Sequence, residues 1–151
     1  MSKFAIISHG WFLHLGRTRL YQNAAKISLI NTVIPQMTDD QTGIAIYSAP
    51  ELEAKATADA IAAATISIVT VDESLSDERG AKSLNELIEK LIAATGSAIL
   101  VTHRRRLRAI LKTVRAALGD KLRTTGHRPF FRNQSLLIDP ERLTVKVISI
   151  I

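Results

Sequence analysis

The sequence contains no cysteine. Disulfide bonds and thiolate metal sites are therefore excluded, and a cytoplasmic location is the default expectation. No hydrophobic run approaches the roughly 20 residues that a membrane-spanning helix needs. The first residues also lack the cleavage pattern of a secretory signal. We expect a soluble protein of the cytoplasm that makes no membrane contact.

The composition is that of a folded chain. Hydrophobic residues make up 46% of the 151 residues, and the mean hydropathy is +0.12. These values exclude an intrinsically disordered protein. The length suits one domain that buries well over half of the surface exposed by the unfolded chain. We therefore predict a single domain over residues 1–151.

Short apolar runs alternate with helical patterns along the chain. Ser48 and Pro50 are typical of a helix start, Ser83 and Glu86 form a capping box, and Gly119 is typical of a helix end. Strands are predicted at residues 4–8, 44–47, 66–71, 98–101, 136–138 and 143–150, and helices at about 17–30, 50–64, 83–95 and 107–118. This alternation predicts a three-layer α/β/α sandwich with a mostly parallel central sheet.

Two histidines follow predicted strands directly. His9 comes after the first strand and His103 after the strand that begins near residue 98. In parallel sheets the ligand crevice lies at the carboxyl ends of the strands. We therefore expect His9 and His103 to face one crevice, with Tyr47 and Ser48 near them.

Four segments occur in an order found in a known family. They are Ser8-His9-Gly10, then Ser48-Ala49-Pro50, then Glu78, and finally His103. This order resembles the histidine phosphatase superfamily, the phosphoglycerate-mutase-like enzymes, whose fold is a sandwich of the predicted kind. The resemblance implies metal-independent phosphoryl transfer without a cofactor, in which a histidine attacks phosphorus and becomes phosphohistidine.

The resemblance also implies a role for individual residues. His9 would be the nucleophile and His103 the second pocket histidine. Glu78 would act as the acid and base, with Asp77 its nearest competitor. The phosphoryl group would then lie against Ser8, Gly10 and Ser48.

Both arginines expected from the family are replaced. Ser8 stands where the first motif has arginine, and Glu53 stands where the second has it. Losing one preorganised donor typically costs about 3 kcal/mol of transition-state stabilisation. Arg104 is the first candidate to replace the lost donors, since a guanidinium can clamp phosphate with two hydrogen bonds. Arg17 and Lys55 are less favoured candidates.

Basic residues are concentrated in one segment. Residues 104–132 hold ten Lys or Arg against only Asp120, whereas the whole chain has a net charge of +6. This asymmetry indicates an anionic partner, which can be a phosphorylated small molecule, a nucleic acid or an acidic surface, and it does not choose among them. The family resemblance favours a phosphorylated small molecule or phosphoprotein over a nucleic acid. Several of these residues lie opposite the apolar stripe of their helix and are typical of a solvated face, namely Arg105, Arg108, Lys112 and Arg115.

Three functions stay open at this point. The protein is a silent relative with weak or absent conventional activity, an active phosphomonoesterase or phosphohistidine phosphatase acting through phospho-His9, or a basic nucleic-acid-binding protein. The first is favoured because two arginines are missing. The sequence leaves the oligomeric state open, although the apolar tail 145–151 favours a buried strand over an exposed edge.

Overall fold

The computed structural model describes residues 3–9, 29–37, 44–76, 81–94, 96–126 and 134–149. The strands are β1 (Phe4–His9), β2 (Ala45–Ser48), β3 (Val69–Val71), β4 (Ala98–His103), β5 (Arg123–Gly126), β6 (Gln134–Asp139) and β7 (Thr144–Ser149). The helices are α1 (Ile34–Met37), which follows a π-type stretch (Leu29–Val33), and α2 (Leu52–Thr65), α3 (Ala81–Ala93) and α4 (Arg104–Leu118). None of the helices in these ranges is long and apolar enough to cross a membrane.

The described strands form a seven-stranded sheet in the order β3-β2-β4-β1-β6-β7-β5. Neighbouring strands from β3 to β1 run parallel, β6 runs antiparallel to β1 and β7, and β5 runs parallel to β7. Strand β6 is thus the one strand of this sheet that runs against the others. The predicted α/β fold with a mostly parallel central sheet is confirmed.

The central strands are covered on both faces. Residues 4–7 of β1 and 98–102 of β4 are all buried, irrespective of the face on which they lie. Such strands have continuous apolar sequences because neither face meets water. Helix α2 packs on strands β1 to β4, while α4 packs on β1 and β4 and against α3. The predicted three-layer arrangement follows from this packing.

Three local predictions are wrong. Helix α2 begins at Leu52 with Glu51 as its N-cap, so Ser48 does not cap it. Helix α3 begins at Ala81, so Ser83 lies inside the helix instead of capping it. The strand predicted at 66–71 is shorter, because Ile66 ends α2 in the left-handed conformation with φ 51° and donates its amide to the Ala62 carbonyl. Because the end of α2 occupies the residues up to Ile66, the strand begins only at Val69.

The ends of the other elements agree with the sequence. Gly119 follows α4 with φ 92°, a conformation that favours glycine, and its amide donates to the Arg115 carbonyl at 2.9 Å. Strand β7 lies between β6 and β5, so the apolar segment that begins at Val145 is an internal strand, as predicted. The helix predicted at 17–30 falls mostly outside the described residues. Strand β5 was not predicted, because its sequence shows no apolar pattern.

Candidate active site

The two histidines that were predicted to share a crevice end neighbouring strands. His9 is the last residue of β1 and His103 the last residue of β4, and the two are paired in the parallel register. Residues paired on adjacent strands have Cα atoms about 5 Å apart. The sheet therefore places His9 and His103 side by side at the carboxyl ends of its parallel strands, where such sheets bind ligands.

The chain after β2 brings a carboxylate to His103. The ladder between β2 and β4 continues past Ser48, because the Ala49 amide donates to the Val101 carbonyl at 2.9 Å. Glu51 follows with an extended backbone, and its side chain makes no capping hydrogen bond to α2. Its Oε2 lies instead 2.9 Å from Nε2 of His103. The two groups form an ion pair whenever the imidazole is protonated.

Ser76 holds the other oxygen of the same carboxylate. Its Oγ donates a hydrogen bond of 2.6 Å to Oε1 of Glu51, and the serine is buried. The side chains of His103 and Glu51 are 15% and 29% exposed. Both groups are therefore largely withdrawn from water, and the carboxylate is fixed at both oxygens.

The short 3-10 helix Glu73–Leu75 delivers Ser76 to this position. Its carbonyls accept hydrogen bonds from β4 and α4: Thr102 Oγ1 donates to Leu75 at 2.7 Å, and Arg106 donates to Ser74 through Nε at 3.3 Å and Nη2 at 3.0 Å. Arg106 is only 8% exposed. The guanidinium therefore joins the start of α4 to the segment that orients the carboxylate.

The environment of Glu51 favours its ionised form. Partial burial acts to raise the pKa of its carboxyl group, but the hydrogen bond from Ser76 and the contact with His103 outweigh burial, and the pKa is lowered. Glu51 therefore carries a negative charge at neutral pH. A fixed anion therefore lies beside His103 at this end of the sheet.

A lowered pKa predicts a pH-dependent contribution to stability. Because Glu51 titrates at lower pH in the folded chain, its contribution is present above its unfolded pKa and is lost as the pH falls through the folded value. Urea unfolding should therefore show a larger stability difference between the wild type and Glu51→Gln at about pH 5 than at about pH 3. Glu53→Gln serves as the matched control. Equal differences at the two pH values would contradict this assignment.

The other residues predicted for the site are placed only in part. Ser48 ends β2 and is fully buried, and its Oγ donates to the carbonyl of the next residue at 2.8 Å. The backbones of Ser8 and Arg104 lie in β1 and at the first position of α4. Gly10 and Glu78 lie outside the described residues. The roles assigned to these five residues stay predictions.

Glu51 is the residue nearest to His103 that sequence reasoning missed, and Ser76 and Arg106, which support it, were missed as well. The position of Glu51 at a helix start explained its charge through the helix dipole, so it gave no separate signal. The available signal was its place directly after Ser48-Ala49-Pro50, at the end of a strand that borders the crevice. Glu53, which the family resemblance places at an arginine position, is partly exposed in the first turn of α2.

The part of the chain that the structure describes contains no group of three or more His, Asp or Glu side chains placed to hold a metal ion. His103 and Glu51 together offer two donors. A zinc site needs at least three protein ligands. The expectation that the site uses no metal or cofactor stays a prediction.

Comparison with solved structures identifies the fold. A phosphoglycerate mutase from Plasmodium falciparum is 17% identical with a TM-score of 0.54, and the match covers 97% of this chain and 86% of that chain. A protein assigned as the phosphohistidine phosphatase SixA of Agrobacterium tumefaciens is 15% identical with a TM-score of 0.59, covering 98% and 95%. A mycobacterial glucosyl-3-phosphoglycerate phosphatase is 16% identical with a TM-score of 0.56, covering 98% and 96%.

These neighbours belong to the histidine phosphatase superfamily. The chain has their phosphoglycerate-mutase-like fold over nearly its whole length, so the fold expected from the four segments is confirmed. No protein-family model matches the sequence, and comparison with curated proteins finds no match. The structural likeness therefore establishes the fold, while the activities named for the neighbours belong to those proteins.

Proposed function

We propose that this protein is a histidine-phosphatase-like protein that retains the crevice around His9 and His103 but hydrolyses ordinary phosphomonoesters weakly or not at all. One observation supports this proposal above all others. The carboxylate of Glu51 lies 2.9 Å from Nε2 of His103, the imidazole that the family resemblance assigns to the phosphoryl oxygens. A phosphoryl group must compete with this carboxylate for the same nitrogen.

The position of Glu51 is favourable for a carboxylate and unfavourable for a second anion. His103 is the N-cap of α4, and a helix N-terminus favours negative charge. Glu51 meets this preference from within the chain. A phosphate dianion about 5 Å from the ionised carboxylate would be repelled by roughly 3 kcal/mol per unit charge at an effective dielectric constant of about 20.

The replacement of the two arginines is also expected to weaken phosphate binding and phosphoryl transfer. Phosphoryl transfer depends on positioning and on cationic groups that stabilise the transferred group. The family resemblance places Ser8 and Glu53 where two arginines would supply that charge. Arg106 does not replace them in the structure, since its guanidinium donates to the Ser74 carbonyl. The crevice therefore combines a fixed anion with the loss of two expected donors.

Hydrolysis of an aryl phosphate tests the proposal. Purified wild type and His9→Ala should release aryl alcohol at the same background rate without added metal. The same comparison should be made with a phosphohistidine peptide, because the sequence left a phosphohistidine phosphatase as an alternative. Circular dichroism and urea unfolding should first show that both proteins are folded.

Turnover by the wild type that disappears in His9→Ala would contradict the proposal. It would show that His9 is a working nucleophile and that other groups replace the arginines. Turnover of the phosphohistidine peptide alone would restrict the activity to that substrate class. If wild type and His9→Ala give the same background rate with both substrates, the result would support the proposal that the protein is catalytically silent.

A further inference from the structure

A recess lies at the end of the sheet opposite to His9 and His103. It has a volume of about 760 Å³ and includes Lys3, which precedes β1, and Asp139, which ends β6. Since β6 runs antiparallel to β1, these two residues meet at the amino end of β1, away from His9. The recess is therefore separate from the crevice around the histidines.

Four cationic side chains line this recess, which we name the basic groove: Lys3, Arg123, Arg142 and Lys146. Arg123 begins β5 and pairs with Thr144 of β7, while Lys146 lies two residues further along β7. Side chains two residues apart lie on the same face of a strand. Arg123 and Lys146 therefore project from the same side of adjacent strands, and both are exposed.

Helix α1 holds two of the cations through one residue. Lys3 Nζ donates to the Gln36 carbonyl at 2.9 Å, and Lys146 Nζ donates to Gln36 Oε1 at 2.8 Å. The Gln36 side chain is itself fixed by a hydrogen bond from Nε2 to the Thr32 carbonyl at 2.6 Å. The two ammonium groups are therefore ordered by neutral acceptors, and these acceptors leave their positive charge in place.

One carboxylate faces the four cations among the described residues of the groove. Asp139 Oδ2 lies 3.9 Å from Lys3 Nζ and 3.9 Å from Arg142 Nε, and Oδ1 accepts a hydrogen bond from the Arg142 amide at 3.1 Å. These contacts neutralise one charge of the cluster. The remaining like charges repel one another, and an anion placed between them would remove that repulsion.

We propose that the basic groove binds a small polyanion that carries two or more phosphate groups. Its volume falls within the range of about 300–1,000 Å³ that is usual for small-molecule sites. Separate cations on β5, on β7 and before β1 suit several anionic groups better than one. No aromatic side chain is among the described residues that line the groove, so these residues offer no stacking platform for nucleic-acid bases.

Calorimetric titration with sodium tripolyphosphate and with inorganic phosphate tests the groove. Tripolyphosphate should bind the wild type at least about tenfold more tightly than phosphate, since it can contact several cations at once. The double variant Arg123→Gln/Lys146→Gln should weaken tripolyphosphate binding by about tenfold or more. Lys55→Gln/Lys112→Gln removes the same charge from exposed helix positions and should change the affinity less than about twofold.

Four results would overturn the proposal. These are no binding of tripolyphosphate, equal losses in the groove variant and the charge-matched control, a loss in His9→Ala as large as in the groove variant, and tighter binding of a single-stranded oligothymidylate that the groove variant abolishes. The second would indicate nonspecific attraction to a basic protein. The third would move the ligand to the histidine crevice, and the fourth would make the groove a nucleic-acid surface.

Discussion

Replacing Arg106 with alanine is expected to lower the free energy of unfolding by about 3 kcal/mol. The guanidinium is buried and donates two hydrogen bonds to the Ser74 carbonyl. Alanine would leave that carbonyl without these donors and would open a cavity where the aliphatic stem packs. Each of these changes alone costs on the order of 1–3 kcal/mol, and the two are not fully additive.

Urea unfolding of three variants would separate the causes. Arg106→Met keeps the apolar stem and removes the donors, so it should recover part of the stability lost in Arg106→Ala. Lys112→Ala changes an exposed residue of the same helix and should stay within about 0.5 kcal/mol of the wild type. An Arg106→Ala variant as stable as Lys112→Ala would show that the contact with Ser74 contributes little.

The Arg106→Ala substitution should also change the position of the Glu51 carboxylate in the candidate site. Arg106 holds the 3-10 helix that places Ser76, and Ser76 in turn fixes the Glu51 carboxylate. Loss of the Arg106–Ser74 hydrogen bonds would therefore loosen the hydrogen bond between Ser76 and the Glu51 carboxylate. Arg106→Ala should therefore reduce the pH dependence of stability that Glu51 contributes, whereas Lys112→Ala should leave it unchanged.

The central fold could be predicted because strands that are buried on both faces require runs of apolar residues, which are visible in the sequence. Strands β1 and β4 are covered on both faces, and each begins with four apolar residues in a row, followed by one hydroxyl residue and a histidine. The order of the strands was not predicted, but the rule that ligands bind at the carboxyl ends of parallel strands led to the expectation that His9 and His103 lie near each other. The sequence of β5, Arg123–Gly126, lacks apolar residues altogether, because this edge strand is held by backbone pairing with β7 and not by burial.

The inner contacts of the site could not be predicted for a different reason. Glu51 reaches His103 only because the β2–β4 ladder extends to Ala49, and this extension depends on tertiary pairing. Arg106 lies in a run of basic residues that resembles a solvated helix start. Its burial depends on the 3-10 helix Glu73–Leu75, whose position no local pattern gives.

Replacing Glu51 with glutamine is expected to tighten inorganic phosphate binding at the histidine crevice by on the order of 30-fold, or about 2 kcal/mol. The change removes the negative charge and leaves a side chain of nearly the same shape. The full Coulomb repulsion at about 5 Å would exceed this figure, but Glu51 is 29% exposed and solvent screens part of it. The His103 imidazole would also be released from its anionic partner and become available to a phosphate oxygen.

A site-specific measurement is required, because phosphate also has access to the basic groove. The imidazole resonances of His103 in a phosphate titration report on the crevice alone, and the dissociation constant obtained from them should fall in Glu51→Gln. Glu53→Gln removes the same charge two residues away and should change the constant less than about threefold. Equal effects in the two variants would show that the Glu51–His103 contact does not limit phosphate binding. A selective gain in Glu51→Gln would identify this one carboxylate as the group that excludes phosphate from the crevice.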